Sequence, residues 1–262
     1  SPLAMRFDII TLFPELFTPF FNSGINRRAF AVGANGAAPP IEVQLHNPRD
    51  FASGNYRRVD DRPFGGGPGM VMMAEPLAAC IAEIQEKRAL QAADIAWAAP
   101  ENEVPKSTFT PAPVILFSPI GQKLSHAVVQ EWGGANSQGA ILLCGRYEGI
   151  DQRLIDSLVT HQISLGDFVL SGGEIAAIAL LDAIARLQPG VLGDEQSHIQ
   201  DSFNPSIGGL LDCPHYTRPE VWQGQAVPEV LLSGNHAKIE TWRQAQRLAL
   251  TQALRPDLLP KE

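Results

Sequence analysis

The chain has 262 residues, a length that fits one large domain or two small ones. Hydrophobic residues make up 45 % of it and charged residues 18 %, which excludes a wholly disordered protein, and no apolar run is long enough to cross a bilayer. Its three cysteines form no CxxC pair, so we expect no disulfide scaffold and a cytoplasmic location. The net charge of −8, taken as a sum, argues against nucleic-acid binding.

Short apolar strands alternate with helical patterns along the first part of the chain. The predicted strands cover residues 7–12, 41–45, 114–117 and 141–144. Amphipathic or helical stretches follow them at residues 14–21, 76–87, 122–131 and 151–158. This rhythm predicts an α/β fold with a mostly parallel sheet and flanking crossover helices.

The next predicted helix is apolar nearly all round. An S-x-x-E capping box, Ser171 to Glu174, is expected to begin it, and residues 175–187 form its body. A helix of this composition is buried, either inside its domain or against a partner chain. Glu174, Asp182 and Arg186 form one polar stripe, whose spacing fits either an exposed ion pair or a face turned to a pocket or an interface.

Residues 190–209 are polar and turn-rich, so we predict a flexible linker between two domains there. An α/β domain is expected over residues 5–189 and a small helical domain over 210–262. The second domain contains a predicted long helix at 235–254, with a core face formed by Ile239, Trp242, Ala245 and Ala249. A basic stripe on this helix is either a solvated face or a contact for RNA phosphates, and it consists of Arg243, Arg247 and Arg255.

Glycine-rich turns at residues 118–121, 145–149 and 165–174 are placed at strand ends. Ligands of open α/β sheets bind at the carboxyl ends of the strands, and glycine lets the backbone approach a ligand closely. We therefore expect a ligand pocket, the alternative being tight turns with no further role. Residues 59–70 are also glycine-rich, and they form either a solvated loop or a surface that contacts RNA through N–H groups and Arg62.

Motifs of several common enzyme classes are missing. The chain has no P-loop, no G-x-G-x-x-G after a strand and no G-x-S-x-G elbow. Its six histidines lack metal-ligand spacing, so we expect no zinc site.

Six motifs resemble those of the bacterial tRNA (guanine-37-N1)-methyltransferase family, of the SPOUT class. They are DDRPFGGGPGM at 60–70, GRYEGID at 145–151, LSGGE at 170–174, DSF at 201–203, LLDCPHYTRP at 210–219 and LLSGNH at 231–236. They follow the family's order from Met5 to about Leu259. Residues 33–40 and 92–113 depart from the pattern and look like added loop residues.

The resemblance implies a deep trefoil knot and an obligate homodimer with its active site at the subunit interface. It implies methyl transfer from S-adenosylmethionine to N1 of guanine 37 of tRNA, the base 3′ to the anticodon. A Mg²⁺ requirement is implied as well, although no acidic cluster in the sequence identifies a metal site. The cofactor contacts carried over from the family are Leu116, Phe117, Ser118, Pro119, Gly121, Gly145, Tyr147, Glu148, Gly149, Leu165, Gly166, Asp167, Phe168, Val169, Leu170, Gly172 and Gly173.

Methylation of guanine N1 requires a base, because N1 carries a proton at neutral pH, and a cation that stabilises charge on O6. The resemblance assigns the base to Asp201 and the O6 partner to Arg186. From its position alone, Asp201 also fits an ordinary linker carboxylate or a helix cap. The residues expected to contact tRNA are Asp60, Arg62, Gly69, His215 and Arg218, although a core role fits His215 equally well.

The charge is unevenly distributed along the chain. Residues 141–201 contain nine acidic and three basic residues, a net −6, in the segment assigned to the cationic cofactor. Residues 22–62 and 214–255 each carry a net +2, which permits tRNA binding with few phosphate contacts. Two rival hypotheses remain open: a knotted methyltransferase for ribosomal RNA or a ribose hydroxyl, and an RNA-binding scaffold without enzyme activity.

Overall fold

The computed structural model describes residues 5–98, 109–193 and 197–261. The chain divides into two compact units, Ser1–Val191 and Leu192–Glu262. Most of the segment predicted as a linker, residues 190–209, is thus counted with the second unit. It contains a short 3-10 helix, Pro205–Ile207, which Asn204 caps by accepting a hydrogen bond from the Ser206 N–H.

The first unit contains seven strands and six α-helices in its described residues. In chain order they are β1 (Met5–Ile10), α1 (Thr18–Phe21), α2 (Asn26–Phe30), β2 (Ile41–His46), β3 (Asp60–Asp61), β4 (Val71–Met72), α3 (Ala74–Ala98), β5 (Val114–Lys123), α4 (His126–Gly133), β6 (Gly139–Leu143), α5 (Gln152–Leu158), β7 (His161–Ser164) and α6 (Glu174–Leu187). Two 3-10 helices, Pro14–Leu16 and Pro48–Phe51, complete the set.

Five strands form one parallel sheet in the order β2-β1-β6-β5-β7. Strands β1 and β6 are buried along their whole length, as expected for parallel strands covered by helices on both faces. Phe7 and Ile9 pack on one face with the apolar side of α6, while Ile10 and Leu143 pack on the other face with α3. The predicted α/β class with a parallel sheet and flanking helices is confirmed.

Several predicted boundaries were wrong. Gln122 and Lys123, assigned to a helix, end β5, and α4 begins only after Ser125, whose hydroxyl caps it by accepting from the Val128 N–H. Strand β7 was not predicted. Helix α3 continues to Ala98 because residues 88–98 are mostly good helix formers, so residues 92–98 are not a loop. Residues 99–108 of that expected loop lie outside the described residues.

A buried group of charges surrounds Asp8 in β1. Its carboxylate accepts hydrogen bonds from Arg6 (2.9 and 3.0 Å) and from Arg88 of α3 (2.9 Å), and His46 Nε2 lies 2.9 Å away. Burial alone would raise the pKa of this fully buried carboxyl, but the bonds from His46, Arg6 and Arg88 outweigh it and lower the pKa to about 2. Asp8 is thus the shared counter-charge of two arginines.

The second unit contains β8 (Val221–Trp222), β9 (Gln225–Ala226), α7 (Glu229–Leu232), α8 (His236–Leu254) and a last 3-10 helix, Pro256–Leu258. Helix α8 confirms the predicted long helix, but its predicted core face was partly wrong, since Ala245 and Ala249 are exposed. The buried residues of α8 are Arg247 and Thr251. They pack by polar contacts: the Thr251 hydroxyl accepts from the Leu211 N–H at 3.0 Å. Apolar residues at helical spacing cannot identify a helix face that packs through polar contacts.

In the described parts of the chain, no helix combines the length and the apolar character needed to cross a membrane.

Candidate active site

Residues 118–121 form a loop within β5. Before and after this loop, β5 pairs with β7. Phe117 and Gln122 both pair with Ile163, so the residues between them are expelled from the ladder together. Gly121 is required for this arrangement, because a Cβ atom there would lie 2.5 Å from the backbone nitrogen of Ile163. Backbone contact with β7 therefore holds the first of the three predicted glycine-rich turns.

The second turn, residues 145–149, follows β6. Tyr147 has a φ of 62° and Gly149 a φ of 146°, which reverse the chain direction at the strand end. Its backbone is bonded on two sides: the Gly145 carbonyl accepts from the Gly173 N–H at 3.0 Å, and the Glu148 N–H donates to the Met70 carbonyl at 3.0 Å. The turn is thus fixed between the third glycine-rich turn and the 59–70 segment.

The third turn runs from β7 to α6. A Cβ atom on Gly173 would lie 3.0 Å from the Cα atom of Cys144, so the start of α6 packs directly on the end of β6. Burial raises the pKa of the Cys144 thiol well above its usual value, in agreement with the expected role as a core residue.

These three turns surround one cavity of about 290 Å³, close to the lower end of the usual range for ligand pockets. Its lining includes most of the predicted cofactor contacts: Leu116, Phe117, Ser118, Pro119, Gly145, Tyr147, Glu148, Gly149, Leu165, Phe168, Val169, Leu170, Gly172 and Gly173. Gly121, Gly166 and Asp167 do not line it. Asp167 instead pairs with Lys123 at 3.0 Å on the surface.

The sequence interpretation missed seven lining residues: Arg146, Ile150, Ile155, Ile163, Ser164, Ser171 and Ala176. Ile163 and Ser164 belong to β7, and recognition of that strand would have identified them. Ile150 and Ile155 flank the start of α5 and give the cavity an apolar wall. Apolar side chains beside glycine-rich backbone, with the Glu148 carboxylate in the lining, suit a ligand with a flat base and a positive charge.

The predicted capping box at α6 was wrong. The helix begins at Glu174, with Gly173 as its N-cap and no side-chain cap. Fully buried Glu174 points inward, where one of its oxygens lies 3.1 Å from Arg146 Nε and the other accepts from the Thr11 hydroxyl at 3.0 Å. The Arg146 guanidinium also lies 4.4 Å from the centre of the Phe13 ring. Pairing with half-buried Arg146 thus replaces capping as the role of Glu174.

The two predicted catalytic residues lie in different units and neither lines the cavity. Arg186 is half-buried in the last turn of α6, one turn after half-buried Asp182. Asp201 is half-buried in the second unit, where its N–H donates to the His198 carbonyl and its own carbonyl accepts from the Asn204 N–H. Backbone bonds therefore fix the position of Asp201 within its unit.

The 59–70 segment is more regular than expected of a solvated loop. Asp60 and Asp61 pair with Met72 and Val71 as the antiparallel strands β3 and β4. Gly69 packs on the side chain of Glu148: a Cβ atom there would lie 2.4 Å from Glu148 Cγ. Asp60, Gly69 and exposed Arg62, all predicted to contact tRNA, therefore belong to a hairpin that adjoins the cavity wall.

The basic stripe predicted on α8 does not form as one surface. Arg247 is buried, with Nη1 2.9 Å from a Glu240 oxygen and Nε 3.5 Å from Asp212, so it is neither a solvated residue nor a phosphate contact. Arg255 follows the end of the helix and pairs with Asp257 at 2.8 Å. Of the residues predicted to contact tRNA in this unit, Arg218 is exposed and His215 bonds Asp212 at 2.8 Å.

One group of metal-ligand side chains occurs among the described residues, Asp212, Cys213 and His215, with ligand atoms within 4.8 Å of one another. It does not fit the implied Mg²⁺. A thiol is a poor ligand for this cation, and burial raises the pKa of the Cys213 thiol. The Arg247 guanidinium also lies close to Asp212, with Nε 3.5 Å from the carboxylate, which disfavours a cation there.

The cavity lies at the carboxyl ends of neighbouring strands of the parallel sheet. This arrangement is typical of α/β proteins that bind a ligand at this edge of the sheet. Residues 5–261 match the family described as tRNA (Guanine-1)-methyltransferase TrmD. The chain belongs to this family, which is part of the SPOUT class.

Three relatives share most of the chain, and each is named tRNA (guanine-N(1)-)-methyltransferase. The protein of Albidiferax ferrireducens is 66 % identical over 97 % of this chain and 92 % of its own. That of Polaromonas sp. is 62 % identical over 98 % and 90 %, and that of Paracidovorax citrulli is 61 % identical over 97 % and 91 %.

Proposed function

We propose that this chain transfers a methyl group from S-adenosylmethionine to N1 of guanine 37 of tRNA. Family membership over residues 5–261 and the three named relatives support a tRNA guanine-N1 methyltransferase activity. The structural observation that carries the proposal is the cavity formed by three glycine-rich turns at the sheet edge. The family accounts for the substrate, and the cavity accounts for a bound cofactor.

The backbone of residues 118–119, 145–149, 165 and 168–173 would hold the cofactor, with Leu116, Ile150 and Ile163 as its apolar neighbours. S-adenosylmethionine supplies a methyl group already activated by a sulfonium charge. Glu148 is the acidic residue of the cavity lining, and its carboxylate would balance part of that positive charge.

Gly121→Ala is expected to weaken binding of S-adenosylmethionine by about 10-fold or more. The added methyl group would meet backbone atoms of Gln162 and Ile163 at 2.5–2.6 Å, so the 118–121 loop must shift. Titration calorimetry measures the change. Gly193→Ala serves as the control because a methyl group there meets no atom of the described residues within 4 Å. Equal affinities for the two variants would contradict a role of this loop in the site.

We assign the chemistry on guanine to Asp201 and Arg186. Asp201 would take the proton from N1, and Arg186 would donate hydrogen bonds to O6 as negative charge develops there. The family's DSF motif at residues 201–203 supports the first role. The half-buried position of Arg186 on α6, one turn after half-buried Asp182, supports the second role.

The proposal includes a trefoil knot, a homodimer with a site shared between subunits, and a cytoplasmic location. Membership of a family in the SPOUT class supports the knot. An exposed apolar side chain on α6, Ile175, and the half-buried Ile178 one turn later support a second copy as the partner. Three free cysteines support a reducing compartment.

The direct test is methylation of tRNA transcripts with labelled S-adenosylmethionine. We expect incorporation into a transcript with guanine at position 37 and none when adenine replaces it. Replacement of the 5′ neighbour then measures how far the flanking base is recognised. Undiminished labelling of the adenine-37 transcript would show that the methylated atom lies elsewhere on the tRNA, for example on a ribose. Absence of saturable cofactor binding by calorimetry would favour a scaffold protein.

A further inference from the structure

The hairpin loop between β3 and β4 carries a large apolar side chain in an unusual position. Phe64 has a relative exposure of 102 %, so the described residues of the chain cover none of its ring. Exposure of a whole phenyl ring to water is unfavourable relative to its burial. An aromatic residue held in this way is suited to cover, and be covered by, another flat surface.

The base of this loop is fixed against the cofactor cavity. Two residue pairs close the hairpin, Asp60 with Met72 and Asp61 with Val71. Just before β4, the Met70 carbonyl accepts a hydrogen bond from the Glu148 N–H at 3.0 Å, and Glu148 lines the cavity. Phe64 therefore projects from a stem that shares a wall with the methyl-donor site.

The tip of the loop is built differently from its base. The three glycines that follow Phe64 have left-handed φ values of 86°, 77° and 111°, at Gly65, Gly66 and Gly67. A Cβ atom on any of them would meet nothing within 4 Å in the part of the chain that the structure describes, so they serve the backbone conformation and not close packing. The loop can thus adjust the orientation of the phenyl ring without disturbing the cavity.

The charges beside Phe64 favour a nucleic acid over an apolar partner. Arg57 and Arg58 pair with Asp50 and Asp61 at 3.4 and 3.1 Å. Exposed Arg62 differs, because no carboxylate of the described residues lies within ion-pair distance of its guanidinium. An aromatic ring next to an unneutralised arginine is the usual combination for stacking on a base while binding its phosphate.

We infer that Phe64 stacks on an unpaired base of the tRNA anticodon loop that flanks the target guanine. This inference rests on the proposed function and adds a residue that positions the substrate. Arg62 then binds a neighbouring phosphate, and the glycines let the ring follow the base. A second copy of this chain is the alternative occupant of the exposed ring.

Phe64→Ala is expected to raise the Kd for tRNA by about 5- to 100-fold, with an unchanged Kd for S-adenosylmethionine. Phe64→Trp retains binding because it keeps an aromatic face, whereas Phe64→Leu behaves like Phe64→Ala. Trp97→Ala removes another exposed aromatic side chain, at the end of α3, and serves as the matched control with wild-type affinity. Filter binding measures tRNA, and calorimetry measures the cofactor.

Transcripts that lack the base at position 36 or 38 identify the stacking partner. Wild type and Phe64→Ala are expected to bind one of these two transcripts equally, because that transcript lacks the base on which Phe64 would stack. A Phe64→Ala variant that binds tRNA with wild-type affinity would overturn the inference. If the sedimentation coefficient of that variant also differs from that of wild type, the exposed ring contacts a second copy of the chain instead. Failure of wild type to methylate any transcript would instead overturn the proposed function.

Discussion

Asp201→Ala lowers the single-turnover rate of methyl transfer by about 10²- to 10⁴-fold, the usual contribution of a positioned general base. The variant still binds S-adenosylmethionine, because all residues of the cavity lining lie in the other unit. Backbone bonds from Asp201 to His198 and Asn204 persist with alanine at this position, so the local fold is retained. Rapid quench with labelled cofactor measures the rate.

Two further variants isolate the proton transfer. Asp201→Asn keeps the size of the side chain but cannot accept the proton, and it is expected to be as slow as Asp201→Ala. Glu220→Ala removes an exposed carboxylate from the same unit and is expected to leave the rate unchanged. Full activity of Asp201→Asn would show that another group takes the proton, or that the target atom carries none.

Asp8→Asn is expected to destabilise the first unit by about 3–5 kcal/mol. The amide leaves Arg6 and Arg88 without their shared counter-charge, in a place where the carboxylate is fully buried. Denaturant unfolding measures the loss. Asp50→Asn breaks an ion pair with Arg57 in which both side chains are mostly exposed, and it is expected to cost less than about 1 kcal/mol. Similar losses in the two variants would contradict a special role for the buried group.

The buried charges around Asp8 should also make the stability of the protein depend on acidic pH. The pKa of Asp8 is about 2 in the folded protein, below the ordinary value of 3.8. The stabilisation is therefore complete above pH 3.8 and is lost as the pH falls toward about 2. It amounts to about 2 kcal/mol, and Asp8→Asn should flatten this part of the stability profile. A variant that keeps the wild-type acid dependence would assign it to other carboxylates.

Local patterns predicted the general fold because they report local physics. Alternating apolar runs and helical periods identified most elements of the parallel sheet, and glycine-rich turns identified the cavity. Strand β7 was not predicted because it has only four residues and leads directly into a glycine-rich turn. The register break at Phe117 and Gln122 depends on contact with that strand, so no local pattern contains it.

The polar residues were the hardest to interpret. Glu174 stands where a capping residue belongs, and only the approach of Arg146 from another loop turns it inward. Arg247 has the spacing of a surface stripe, yet it is buried and pairs with Glu240 and Asp212. In both cases a partner distant in sequence, or on a different element, decides the role. The roles of Asp201 and Arg186 depended on family motifs for the same reason.

Four of the residues that line the cavity are glycines, which present only main-chain atoms, and this bears on inhibitor resistance. An inhibitor that hydrogen-bonds with side chains loses affinity when a codon changes, but amide and carbonyl groups persist in every variant. Substitution of the glycines is also restricted, since a methyl group on Gly173 would press on Cys144, and one on Gly172 would lie 2.3 Å from Arg146 Nε. Compounds that bind mainly to this backbone would leave few viable escape mutations.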